Sequence, residues 1–140
     1  MTQSGIIVRP ASHDDLTAIE DLIIPFVAAK RLLPRTSDEL SDLIKHGFVA
    51  VADGNVVGFA TLEVYSKKMA EIRSLCVAAG YGGMGIGKRL TQACVDLARE
   101  KNVYEIMVIT SSDEFFRACG FDFTLPGEKK ALFLQTRDEP

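Results

Sequence analysis

The sequence predicts a mixed α/β (α+β) fold in a single domain spanning residues 1–140. Apolar periodicity switches repeatedly between the helical repeat and strand alternation. Tight-turn signals separate the central strand-like runs, which makes those neighbours antiparallel. A glycine-dense segment then stands between the last of these strands and a long amphipathic helix. Together they predict one mixed, mostly antiparallel sheet of about six to seven strands, flanked by about four helices.

The elements follow in chain order. "IIVRP" is a short β-rich run stopped by Pro10. Ser12 with Asp15 three residues later is capping-box-like, and Leu16, Ile19 and Ile23 recur at helical spacing. Pro25 is expected to break or kink that helix, so that "PFVAAKRLLPRT" forms a second short helix running into a loop at Pro34. Thr36 with Glu39 is a capping box, opening a helix through about Lys45 that Gly47 stops. "FVAVA" and "VVGFATLEVY" alternate as strands around Asp53-Gly54-Asn55, a strong hairpin signal. Ser66-Lys67-Lys68 turns the chain into a third strand, "AEIRSLCV", completing an antiparallel meander. Period-two alternation puts Glu71, Arg73, Leu75 and Val77 on one face of it. Ile86, Leu90, Ala93, Cys94 and Leu97 mark a long helix ending near Lys101-Asn102. "EIMVIT" has the apolar character of a central strand. Ser111 with Glu114 caps a short helix, "DEFFRAC", which Gly120 terminates. "FDFTL" and "KALFLQT", around Pro126-Gly127, are the last two strands.

Composition narrows the function. Apolar residues are 47% and charged residues 25% of the chain, as in a folded globular protein. The net charge of −3 argues against nucleic acid as a partner, because neutralising phosphates needs a basic face. "MTQSGIIVRP" lacks an apolar signal core and no run reaches membrane-span length, so a cytoplasmic protein without a membrane partner is expected. Cys76, Cys94 and Cys119 are odd in number and form no C-x-x-C, and are expected as reduced, mostly buried thiols. His13 in a first helical turn and His46 near a helix end suggest no metal site.

Five of the eleven glycines fall between Gly80 and Gly87, beside Lys88 and Arg89. Gly82, Gly87 and Lys88 fit the P-loop pattern, but Arg89 occupies the position that must bind Mg²⁺ through a hydroxyl. Gly80, Gly82 and Gly85 satisfy the dinucleotide fingerprint, but an antiparallel hairpin precedes them instead of the first strand of a β-α-β unit. What fits is simpler. Glycines at 83, 85 and 87 let the backbone approach an anion, and the free amides of the following helix point at it. Cations in a first helical turn make sense where an anion meets them. A glycine-rich turn with two solvated basic side chains is the structural alternative.

"EIRSLCVAAGYGGMGIGKRL" resembles motif A of the GNAT (Gcn5-related N-acetyltransferase) superfamily, Q/R-x-x-G-x-G/A, and "EFFRACGF" resembles its later helix and turn, F/Y-x-x-x-G-F. The order of elements is also similar to that of the family, so the resemblance covers essentially the whole chain. "LIIPFVAAKRLLPRT", "AEIRSLCVAAGY", "VITSSDEFFRACGF" and "LPGEKKALF" further resemble the acetyltransferase domain of bacterial N-acetylglutamate synthases. Those usually carry an amino-acid-kinase domain in front, for which 140 residues leave no room.

The resemblance implies acetyl transfer from acetyl-CoA to the amine of a small molecule, an amino acid of glutamate type being favoured, by direct transfer in a ternary complex. It implies no metal, and it is compatible with a homodimer. Main-chain groups of Leu75, Cys76 and Val77 would meet the pantetheine arm, and Gly82, Gly83, Gly85, Gly87 and Lys88 the pyrophosphate. Glu71 would be the general base, directly or through water; a Glu71–Arg73 surface pair is its structural alternative. The chain departs from the family at Gly82, where the motif has Gln or Arg, and at Phe116, where many members carry a thiolate-protonating Tyr. Arg35, Arg73 and Arg137 are candidates to bind acceptor carboxylates. Glu139 stands where the synthases have Ser. A protein or polyamine acceptor, and an acyl-CoA-binding module without turnover, remain the alternatives.

Overall fold

Asp53 and Gly54 both adopt positive φ, 50° and 79°, which two-residue hairpin turns of mirror-image type require. They join β2 (Gly47–Ala52) to β3 (Asn55–Val64), with Ala52 paired to Asn55. In the computed structural model, which describes residues 5–123 with Leu132, Leu134 and Thr136, this hairpin is the centre of a five-stranded sheet ordered β1-β2-β3-β4-β5. β1 (Ile6–Pro10), β2, β3 and β4 (Met69–Val77) run antiparallel in turn. β5 (Glu105–Met107) joins β4 in parallel. The antiparallel meander is therefore as expected.

The described sheet has fewer strands than predicted. Phe121–Phe123 belongs to no strand, and the rest of "FDFTL" with Lys130, Ala131, Phe133 and Gln135 of "KALFLQT" lies outside the described residues. "EIMVIT" pairs only through Glu105–Met107, and β5 is the last strand of the described order instead of a central one.

Four helices are described: α1 (Leu16–Ala28), α2 (Ser37–Ile44), α3 (Ile86–Glu100) and α4 (Asp113–Ala118). Pro25 lies inside α1 and does not divide it, against expectation. Proline at that position removes a single helical hydrogen bond near the helix end, and burial of Ile19, Leu22 and Ile23 outweighs the loss of about 3 kcal/mol. The helix ends instead at Ala28, and Lys30 just beyond the C-cap Ala29 has a φ of 60°. α2 starts at the predicted box, with Glu39 N–H donating to Thr36 Oγ1 at 3.1 Å and Thr36 N–H to Glu39 Oε1 at 2.8 Å. None of the described helices is long and apolar enough to cross a membrane.

The described residues fall into two compact units, divided between Ile109 and Thr110. The first holds the whole sheet and α1–α3. On one face of the sheet, Ile19, Leu22, Ile23, Leu40 and Ile44 pack with Val49, Phe59 and Cys76. On the other, α3 closes against Gly58, where a Cβ would stand 3.0 Å from Leu90 Cδ1 and 3.2 Å from Ile86 Cγ2. In the second unit Phe116 of α4 is buried edge-on to Phe115 and Phe121.

Candidate active site

The β3–β4 ladder pairs Phe59 with Cys76 but Thr61 with Arg73. Two steps on β3 are thus matched by three on β4, a β-bulge, and Ser74 inside it has a φ of 59°. One extra residue reverses the alternation of everything beyond it. Glu71 and Arg73 share a face with Cys76, not with Val77, which corrects the single face predicted for Glu71, Arg73, Leu75 and Val77. β5 pairs with β4 only from Met69 to Glu71. Beyond that point, Leu75, Cys76 and Val77 have no partner strand on that side among the described residues.

Glu71 is buried, 7% exposed, and so is no solvated surface residue. Glu63 is its partner across the ladder, and period two puts Tyr65 on the same face. The Tyr65 hydroxyl donates to Glu71 Oε1 at 2.6 Å. Arg73 Nη1 lies 3.1 Å from Glu63 Oε1 and 3.8 Å from Glu71 Oε1. Burial, then the Glu71 bond, pushes the Tyr65 phenol up to about 12, so it stays protonated at neutral pH. Sequence reasoning named Glu71 and Arg73 but missed Glu63 and Tyr65. The spacing Thr61, Glu63, Tyr65 on the neighbouring strand was the available signal, once the turn at Ser66 sets the register.

After β4 the chain enters the glycine loop. Gly80, Gly83 and Gly85 have φ of 91°, 75° and 76°, conformations that disfavour any side chain. A Cβ built at Gly82, Gly83 or Gly85 would meet no atom within 4 Å, so the loop is open above its backbone. Gly85 is the N-cap of α3, and Arg89 N–H donates to its carbonyl at 3.0 Å. The amides of Ile86, Gly87 and Lys88 therefore have no helical acceptor. Lys88 is exposed, whereas Arg89 Nη1 turns back to the Ile6 carbonyl at 3.1 Å.

Arg35, between α1 and α2, has its Nε buried without a hydrogen-bond partner among the described residues. Arg137 lies outside the described residues. Cys76 and Cys94 are buried, and burial pushes each thiol up to about 12.

Residues 14–121 match the family model described as "Acetyltransferase (GNAT) family". The chain belongs to the GNAT acetyltransferase family. It is 31% identical over 118 residues to an amino-acid acetyltransferase of Mycobacterium tuberculosis, covering 82% of this chain and 67% of that one. Its fold is similar to that of Rv2747 from Mycobacterium tuberculosis, solved in complex with CoA and NLQ, at a TM-score of 0.79 and 30% identity, covering 89% and 76% of the two chains. It is also similar to N-acetylglutamate synthase from Neisseria gonorrhoeae complexed with coenzyme A and N-acetyl-glutamate, at a TM-score of 0.74 and 26% identity. That match covers 81% of this chain but 27% of the synthase, so this GNAT chain corresponds to about a quarter of it. The protein is thus an acetyl-CoA-dependent N-acetyltransferase of GNAT type. The five-stranded sheet with four helices is its GNAT core.

Proposed function

We propose that the acceptor is the amine of a small amino acid carrying an additional anionic group, of glutamate type, and that residues 1–140 act as one catalytic domain. The observation that carries this is the buried Nε of Arg35. An unsatisfied buried donor costs about 1–3 kcal/mol, and an acceptor carboxylate would satisfy it with a charge-assisted bond. Of the other forks, Arg73 already has Nη1 on two carboxylates, which leaves Arg35 and Arg137 the stronger candidates. The similarity to proteins named amino-acid acetyltransferases supports the same class.

Acetyl-CoA supplies an activated thioester carbonyl. The chain's own groups fit its anionic end: the three amides of Ile86–Lys88, Gly87 among them, the open backbone of Gly82, Gly83 and Gly85, and the exposed Lys88. Main-chain groups of Leu75, Cys76 and Val77, on the unpaired side of β4, would hold the pantetheine arm. Glu71 takes a proton from the acceptor ammonium. The freed nitrogen forms the new C–N bond as the C–S bond breaks and sulfur leaves as thiolate. The thiolate then takes its proton from water.

The test is an acceptor screen with acetyl-CoA, following thiol release with an amino-acid panel, polyamines and lysine peptides. Fastest turnover with a dicarboxylic amino acid or its amide is the expected result. A preference for polyamines or peptides overturns the acceptor class. Cofactor binding with no thiol release from any amine overturns turnover itself.

A further inference from the structure

Tyr65 has no role in the chemistry assigned above, yet it makes the shortest polar contact of Glu71. It sits just past β3, where its N–H bonds to the Met69 carbonyl at 3.0 Å, so the backbone that carries it is held in the hairpin register. With Glu63 opposite Glu71, that register puts Tyr65 diagonally across from Glu71, within reach of a long side chain. Tyr65 is half exposed, at 50%, while Glu71 is buried.

We propose that Tyr65 is a positioning residue for Glu71, holding Oε1 so that Oε2 receives the acceptor's proton. The inference rests on the assignment of Glu71 as general base. Both the Tyr65 contact at 2.6 Å and the Arg73 contact at 3.8 Å fall on Oε1, and neither uses Oε2. Arg73 lies nearer Glu63 than Glu71, so it cannot fix the Glu71 carboxylate alone. Without the hydroxyl, Arg73 is the remaining donor near Oε1, and at 3.8 Å it leaves the carboxylate free to turn away from the facing charge of Glu63. A phenol that stays protonated at neutral pH serves only as donor to the carboxylate, so the hydrogen bond has one direction.

The experiment compares Tyr65→Phe, Glu71→Gln and the double variant, using acetyl-CoA and the fastest amine from the screen. Tyr65→Phe removes one hydroxyl and keeps the ring. Its kcat is expected to fall about tenfold, the equivalent of a hydrogen bond to a charged group, with KM for acetyl-CoA unchanged. On the Glu71→Gln background the same change is expected to alter kcat by less than about twofold, because the group being positioned is gone. A merely structural tyrosine would cost as much on either background, and that result overturns the proposal. So does an unchanged kcat for Tyr65→Phe where Glu71→Gln is slow. If Glu71→Gln itself keeps the full rate, or no amine turns over, the general-base assignment falls, and the role of Tyr65 falls with it.

Discussion

Glu63 stands directly across the β3–β4 ladder from Glu71, two carboxylates on one face of the sheet. Like charges so placed destabilise a sheet unless something intervenes. Here Arg73 Nη1 reaches both, at 3.1 Å and 3.8 Å, from a side chain that is 22% exposed. Arg73→Gln is therefore expected to destabilise the protein by about 1–2 kcal/mol, discounted for the solvent exposure of Glu63. Adding Glu63→Gln should recover part of that loss by removing one of the two stranded charges. Urea denaturation of the three proteins measures both effects. Further destabilisation by the second substitution would mean that Arg73 does not act by separating the carboxylates.

Cys76 is proposed to meet the coenzyme through its main chain, not its sulfur. Burial pushes the thiol up to about 12, so almost no thiolate exists at neutral pH. Cys76→Ala should keep kcat within about threefold, while costing roughly 1 kcal/mol of stability for the lost packing. Free CoA should also not appear in a burst before acceptor is added. Such a burst, lost in Cys76→Ala, would establish an acyl-enzyme on sulfur in place of direct transfer.

Local signals account for what was legible in the sequence. The Thr36–Glu39 box, the Asp53-Gly54 turn and the glycines ahead of α3 each act within a few residues, and each forms as predicted. The failures come from interactions between distant segments. Pro25 is a strong local breaker, yet the apolar face of α1 packs against strands much later in the chain and carries the helix through it. The bulge at Ser74 has no composition cue, since serine rarely takes positive φ, and missing it put Val77 on the wrong face. Glu71 was found through its place before the loop, while Tyr65 and Glu63 became visible only with the register of the hairpin. Arg89 was expected beside the phosphate loop, but it reaches a carbonyl on β1, a partner 83 positions away.

Gly82 and Gly85 belong to one loop but should respond in opposite ways. Gly82 has no left-handed φ, and a Cβ there meets nothing within 4 Å. Gly82→Arg should therefore fold normally and add a cation at the motif position where the family has one, lowering KM for acetyl-CoA about threefold or more. Gly85 has a φ of 76° at the N-cap of α3, so Gly85→Val carries about 1–2 kcal/mol of backbone strain although its side chain meets no neighbour. Its effect falls on the loop's shape, and KM for acetyl-CoA should rise at least about tenfold with the fold retained. Calorimetric titration with CoA checks both. Weaker binding by Gly82→Arg, or wild-type binding by Gly85→Val, would put the pyrophosphate site elsewhere.

Asp15 ties the end of β1 to the start of α1. Arg9 closes on it with two bonds, Nη1 to Oδ2 at 2.8 Å and Nη2 to Oδ1 at 2.9 Å, and Ser12 N–H adds a third at 2.8 Å. The Arg9 hydrogen bonds, helped by Ser12 and opposed by burial, hold the Asp15 carboxyl below the usual 3.8. A carboxylate depressed in the folded state stabilises fully above its unfolded value, and that contribution disappears as pH falls through the folded one. Asp15→Asn should thus cost about 1–3 kcal/mol at pH 7, nearer the low end because Arg9 is 43% exposed. The difference from wild type should shrink as the pH is lowered past 3.8, since protonation removes the same charge that the substitution does. Urea midpoints for both proteins from neutral pH down into that range measure the gap. A gap that stays constant across it would assign the stability to packing of the Asp15 side chain instead of to its charge.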